Sequence, residues 1–113
     1  MPIVLKLTEI YKLWQSFLPH FPKTSRYTLG AKIDLLLVEI IEAIVIAIHS
    51  SKKTKLPFVR KASIKLDLLK FFLKIAWEIK ALDNKKYALL SKELAVIGKM
   101  LGGWQRQLKN SGP

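Results

Sequence analysis

"LLLVEIIEAIVIAI", Leu35 to Ile48, decides the fold, because it can be read as a membrane span, a buried strand or a buried helix. A span needs ~20 consecutive apolar residues. This tract is shorter, and Glu39 and Glu42 interrupt it, so no transmembrane helix is expected. Its isoleucines and valines suit a strand, but the apolar pattern runs from about Lys23 to Ile48 without a turn signal, longer than strands extend. Helix is therefore the reading. Leu29, Ile33, Leu36, Ile40, Ala43 and Ala47 form its inner seam. Leu35, Leu37, Val38, Ile41, Ile44, Val45, Ile46 and Ile48 leave only a thin polar stripe at Lys32, Glu39, Glu42 and His49. A helix apolar on nearly all sides must be covered on nearly all sides. In a lone four-helix bundle each helix exposes about half its circumference, so the pattern predicts contact with another subunit.

Outward from this helix the same periodicity recurs. Ile3, Leu7, Ile10, Trp14 and Phe17 step by four and three until Pro19, and "PHFPKTS" breaks the pattern. "SSKKTKLP", Ser50 to Pro57, is a polar, basic loop closed by a proline suited to a first helical turn. Phe58, Ala62, Leu66, Leu69, Leu73 and Ala76 form the next seam, widened by Ile64, Leu68, Phe71, Ile75 and Ile79. Asp83 is placed to cap the last helix, whose seam is Tyr87, Leu90, Leu94, Ile97, Leu101, Trp104 and Leu108. The expectation is an all-α, up-down-up-down four-helix bundle, a single domain over 1–113 with helices at about 3–18, 23–49, 57–82 and 84–109.

The last seam passes through Gly98, Gly102 and Gly103, although each interior glycine costs a helix about 1 kcal/mol. Continuity of the seam predicts that the helix continues there. The three glycines then form a shallow trough for the close approach of another helix, with Trp104 as an apolar anchor beside it: a packing or oligomer-interface element.

Charge is the strongest compositional signal. The net charge is +12, and residues 52–113 carry fifteen basic against four acidic side chains, so +11 of it lies there. Such an excess points to a polyanionic partner, with a merely solvated basic face as the plain alternative and an anionic membrane surface behind both. Arg60, Lys61, Lys65, Lys70 and Lys74 fall within fifteen residues against Asp67 alone, a stripe able to track the phosphates of a strand. Arg26, Lys99 and Arg106 join them as candidate nucleic-acid contacts. Lysine outnumbers arginine, which favours backbone contact over base reading. Phe71 and Phe72 in "LKFFLK" are expected in the core, with base stacking the minor alternative.

Little points to catalysis. There is no cysteine, which removes disulfides, thiolate metal sites and cysteine nucleophiles and suits a cytoplasmic protein. No signal peptide is read at the start. His20 and His49 have no ligand or catalytic partner at a suitable spacing, and Glu39 and Glu42 lack the Glu-x-x-His pairs of a di-iron bundle. The glutamates are expected to pair with lysines or meet a neighbouring subunit. No enzyme activity, cofactor, metal or small-molecule substrate is expected.

"FPKTSRYTLGAKI" (Phe21–Ile33), "LDLLKFFLKIAWEIKAL" (Leu66–Leu82) and "IGKMLGGWQRQL" (Ile97–Leu108) together resemble the accessory variability determinant (Avd) proteins of diversity-generating retroelements. The resemblance implies a homopentameric, ring-like barrel of four-helix bundles that binds the retroelement's reverse transcriptase and template RNA. It also implies support of mutagenic retrohoming, with no catalysis of its own. The family's basic-x-x-x-basic pair matches Lys70 and Lys74, which by resemblance contact reverse transcriptase or nucleic acid. A related family, the bundle proteins encoded in ribosomal RNA intervening sequences, shares the "FPK..RY.L" element and implies self-assembly without a polymerase partner. The chain departs from that family's asparagine-alanine-glutamate-glycine signature, carrying "IIEAIVIAIHS" instead, and its Leu-Gly-Gly-Trp favours the retroelement branch.

Overall fold

The computed structural model describes residues 2–110. Four long helices, α1 (Pro2–Phe17), α2 (Ala31–His49), α3 (Lys55–Glu78) and α4 (Asn84–Asn110), pack into a rod of 50 × 21 × 20 Å, with no strand among the described residues. Each helix runs antiparallel to the next: Trp14 meets Asp34, Glu39 meets Lys65, and Leu66 faces Gly98. Lys6 pairs with Glu93, closing α1 against α4, so the arrangement is an up-down-up-down four-helix bundle.

The seams become one core. Ile3, Leu7, Ile10 and Trp14 of α1 meet Ile33, Leu36, Ile40, Ala43 and Ala47 of α2 and Leu90, Leu94, Ile97 and Leu101 of α4, all buried. On α3 the buried set is Val59, Ala62, Leu66, Leu69, Leu73 and Ala76, whereas Phe58 is only partly buried. Stepping back three from Ala62 keeps the three-four alternation and selects Val59; stepping back four selects Phe58.

Between α1 and α2 the chain departs from the expected continuous helix. Leu18–His20 forms a 3₁₀ turn, Lys23–Ser25 a single helical turn, and Arg26–Gly30 a π-helical stretch. Phe21 turns inward, edge-on to Trp14 at 5.4 Å. One guanidinium nitrogen of Arg26 donates to the carbonyls of Pro19 and Phe21, at 2.8 and 2.9 Å, and ties the break together. Gly30 is tightly enclosed: a methyl group in place of its hydrogen would stand 3.1 Å from Leu18 Cδ1 and 3.5 Å from Phe21 Cδ2, so the Leu18 side chain would have to give by a few tenths of an ångström. The Arg-Tyr-x-Leu-Gly element thus builds a wide turn that seats Phe21 under Trp14. Hydrophobic periodicity does not register it, since the seam resumes at Ile33 in the expected phase.

The other ends are closed by side chains. Lys55 Nζ donates to the carbonyls of Ala47, Ile48 and Ser50 at the C-terminus of α2. α3 stops at Glu78, four residues earlier than expected. Lys80 adopts a left-handed backbone (φ 65°), and Ala81 and Leu82 then bond back to the Ala76 carbonyl. Asp83 caps α4, its Oδ1 accepting from the Lys86 amide at 2.8 Å. That backbone hydrogen bond holds the Asp83 carboxyl below its ordinary range. A depressed folded-state pKa stabilises above the unfolded value and loses its effect as pH falls through the folded one. Asp83→Ala should accordingly lower Tm by a few degrees at neutral pH, and the gap from wild type should close in acid, as thermal melts across pH will show.

Candidate nucleic-acid interface

Two glycines of α4, Gly98 and Gly102, lie in the groove between α3 and α4, and Gly103 lines the depression on the Trp104 side. Ala95, Gly98, Gly102 and Arg106 follow one another at three- and four-residue steps on one face of α4, opposite Ser63, Leu66, Asp67 and Lys70 of α3. With Lys99 these residues line an open groove of about 390 Å³. The helix runs unbroken through Gly102 and Gly103, as the continuous seam requires. Among the described residues the trough is lined from these two helices alone. Over Gly98 lies the Lys70 ammonium, 3.4 Å from where a methyl would stand; over Gly102 and Gly103 lies the Arg106 guanidinium, at 3.5 and 3.9 Å. A methyl at any of the three would meet these head groups at ordinary contact distance, so the head groups alone do not demand glycine.

Three of the sequence-derived cations, Lys70, Lys99 and Arg106, converge on this groove with Asp67 as its single carboxylate. None of the three has an ion-pair or hydrogen-bond partner among the described residues. Unpaired cations lining a concave surface concentrate positive potential and draw polyanions toward it. Arg60 and Lys74 are exposed on α3 and extend the charge along its outer edge, with Lys74 4.0 Å from Glu78.

The remaining members of the set lie elsewhere. Lys65 sits at the α2–α3 seam, 3.3 Å from Glu39, and the pair is largely shielded from solvent. That contact gives Glu39 the lysine partner expected for it. Lys61 is exposed on the same side of α3. Arg26 is occupied with the carbonyls of the α1–α2 break. Trp104 packs against the core on the far side of α4 from the groove, lining a shallow depression with Pro2, Ile3 and Met100.

Substitution at the glycines separates space from charge. A methyl at Gly102 meets only the flexible end of Arg106, so Gly102→Ala should raise stability by about 1 kcal/mol through helix propensity, measured by denaturant unfolding. A leucine there would occupy the groove without entering the core.

A second exposed surface is apolar. Leu35, Val38 and Ile46 of α2 and Ile64, Leu68 and Phe71 of α3 are 40 to 62% exposed, so the residues expected to widen the α3 stripe inward point outward instead. The helical phase explains this: at 3.6 residues per turn the three α3 residues fall on the side away from the buried seam, whereas the half-buried Phe72 faces α2, with Lys32 Nζ 6.0 Å from its ring centre. Phe71 in particular is 61% exposed, against the expectation of a core position.

Among the described residues no three His, Asp or Glu side chains cluster as metal ligands would, and no helix is long and apolar enough to cross a membrane. His49 Nδ1 lies 2.9 Å from the Val45 carbonyl at the end of α2, and His20 is exposed in the 3₁₀ turn. Compared with known families, residues 1–108 match the family model described as bAvd-like. No curated protein matches the chain.

Proposed function

We propose, because the chain belongs to the bAvd-like family of accessory variability determinant proteins, that it is a non-catalytic accessory subunit of a diversity-generating retroelement. It holds template RNA and reverse transcriptase on its basic α3–α4 surface and supports mutagenic retrohoming from the cytoplasm. The observation that carries this is the convergence of Lys70, Lys99 and Arg106, all unpaired, on a groove floored by glycine and alanine. The Lys70 and Arg106 head groups that lie over this floor are the flexible ends of long side chains, able to turn toward a sugar-phosphate backbone that enters the groove. Lys74, one turn beyond Lys70, carries the same surface toward the polymerase. The test is co-purification with the reverse transcriptase encoded beside it, comparing wild type with Lys70→Glu plus Lys74→Glu. Loss of polymerase and RNA from the doubly reversed protein is expected; retention of both at wild-type levels overturns the assignment.

Self-assembly accompanies this function. The exposed Leu35, Val38, Ile46, Ile64, Leu68 and Phe71 form an apolar face of the kind monomeric proteins seldom leave open. We assign it to contact with further copies of the chain, a pentamer in keeping with the family resemblance, with Glu42 at its edge. Phe71→Glu should shift the protein to a smaller species in sedimentation without loss of helix. The same face also favours the second function, a self-assembling bundle of the ribosomal RNA intervening-sequence kind with no polymerase partner. Assembly without polymerase capture in the co-purification above would select it.

A further inference from the structure

The α3–α4 turn carries an aromatic platform that the groove does not use. The Trp77 indole stacks on the Tyr87 ring at 4.9 Å with 9° between planes, and its Nε1 donates to Asn84 Oδ1 at 2.7 Å. Both contacts fix the indole, yet it remains 38% exposed. The stack occupies one face of the indole, and a depression of about 320 Å³ lies against Trp77, Glu78, Lys80 and Asn84. Lys80 stands at its edge in a left-handed conformation (φ 65°) that glycine would adopt with less strain. The turn therefore keeps a cation where the backbone alone would favour glycine. Neither Lys80 nor Lys85 has a side-chain partner among the described residues, while Lys86 is held by Asp83 at 3.4 Å. Glu78, the one carboxylate on the rim, lies 4.0 Å from Lys74 Nζ.

We propose that the free face of Trp77 seats an unpaired nucleobase of single-stranded RNA, with Lys80 holding the adjoining phosphate. This rests on the proposed nucleic-acid function and adds to it a site for exposed bases. Stacking on an aromatic plane requires a base out of its duplex and tolerates any sequence, and a plane already locked loses little freedom when a base lands on it. The amide nitrogen of Asn84 and the carboxylate of Glu78 offer a donor and an acceptor to the base edge.

The test compares a mixed-sequence single-stranded RNA with the duplex formed from it, by fluorescence titration of the full chain. Wild type should favour the single strand, and Trp77→Leu should weaken single-strand binding by about tenfold while leaving duplex binding unchanged. Trp77→Phe, which keeps an aromatic plane but loses the bond to Asn84, should retain most of the preference. Lys80→Gly should melt at or above the wild-type temperature yet bind the single strand less tightly, with a salt dependence shallower by about 0.7 in log-log slope. Equal single-strand binding by wild type and Trp77→Leu overturns this proposal alone, as does a phenylalanine variant as weak as the leucine one. Wild type that binds neither RNA overturns this proposal together with the function it rests on.

Discussion

Replacing Lys70, Lys99 and Arg106 together by glutamate should lower affinity for single-stranded RNA on the order of 50-fold or more at physiological salt. Each phosphate neutralised by a cation adds about 0.7 to the log-log salt slope for single strands, so removing three cations at ~0.15 M salt takes away a factor of that size before any new repulsion is counted. Folding should be spared, since all three side chains are exposed and carry no internal partner among the described residues. Lys65→Glu is the informative contrast. It sets a carboxylate against Glu39 at the α2–α3 seam, so its main effect should fall on stability and not on RNA. Filter-binding titrations paired with thermal melts distinguish the two: a triple variant that melts as wild type does and still binds as wild type does rules the groove out as the RNA site.

Trp14→Ala should cost about 3–5 kcal/mol, the largest single effect on stability expected in the chain. Trp14 is fully buried, meets Phe21 edge-on and donates its indole nitrogen to Asp34 Oδ1 at 3.0 Å. Its removal opens a cavity beneath the α1–α2 break and frees the one aromatic contact that anchors Phe21. In a protein of this size the loss corresponds to a Tm lower by roughly 15 °C or more. Trp14→Phe should cost much less, because ring packing survives and Asp34 keeps its bond from Gln15 Nε2 at 2.8 Å. Chemical denaturation of the two variants measures the difference, and an alanine variant as stable as wild type would show that the break is held by other means.

The bundle is largely legible in the sequence because its core follows helical spacing. Ile33, Leu36, Ile40, Ala43 and Ala47 all point inward where the three-four alternation puts them. The continuity of α4 through Gly102 and Gly103 is likewise readable, since a cap would break the seam between Leu101 and Trp104. Three features escape the pattern, each for a physical reason. The π-helical stretch at Arg26–Gly30 depends on close approach of Leu18 and Phe21, which tertiary packing sets. Phe71 and Ile64 fall almost opposite the seam at 3.6 residues per turn, so the phase itself turns them outward, a signal that their apolar character masks. The glycine spacing marks a trough, but that Lys70 and Arg106 reach over it within the chain cannot be read from spacing, because both side chains are too long for their end points to be placed that way. Among the candidate cations, sequence alone does not separate the convergent Lys70, Lys99 and Arg106 from Lys65 and Arg26, which are occupied within the fold. Trp77 stands outside every seam and every charged stripe, and the signal that could have found it is an aromatic one residue off the Leu69–Leu73–Ala76 line.

The central claim is that a basic groove between α3 and α4 grips the phosphate backbone of RNA. Its most direct measurement is the affinity of the wild-type protein for single-stranded RNA across a range of salt concentrations, repeated with the Lys70, Lys99 and Arg106 reversals. Wild type should show a steep log-log slope, and the triple variant one shallower by about 2 units. A wild-type slope near zero, or the same slope in both proteins, would contradict it.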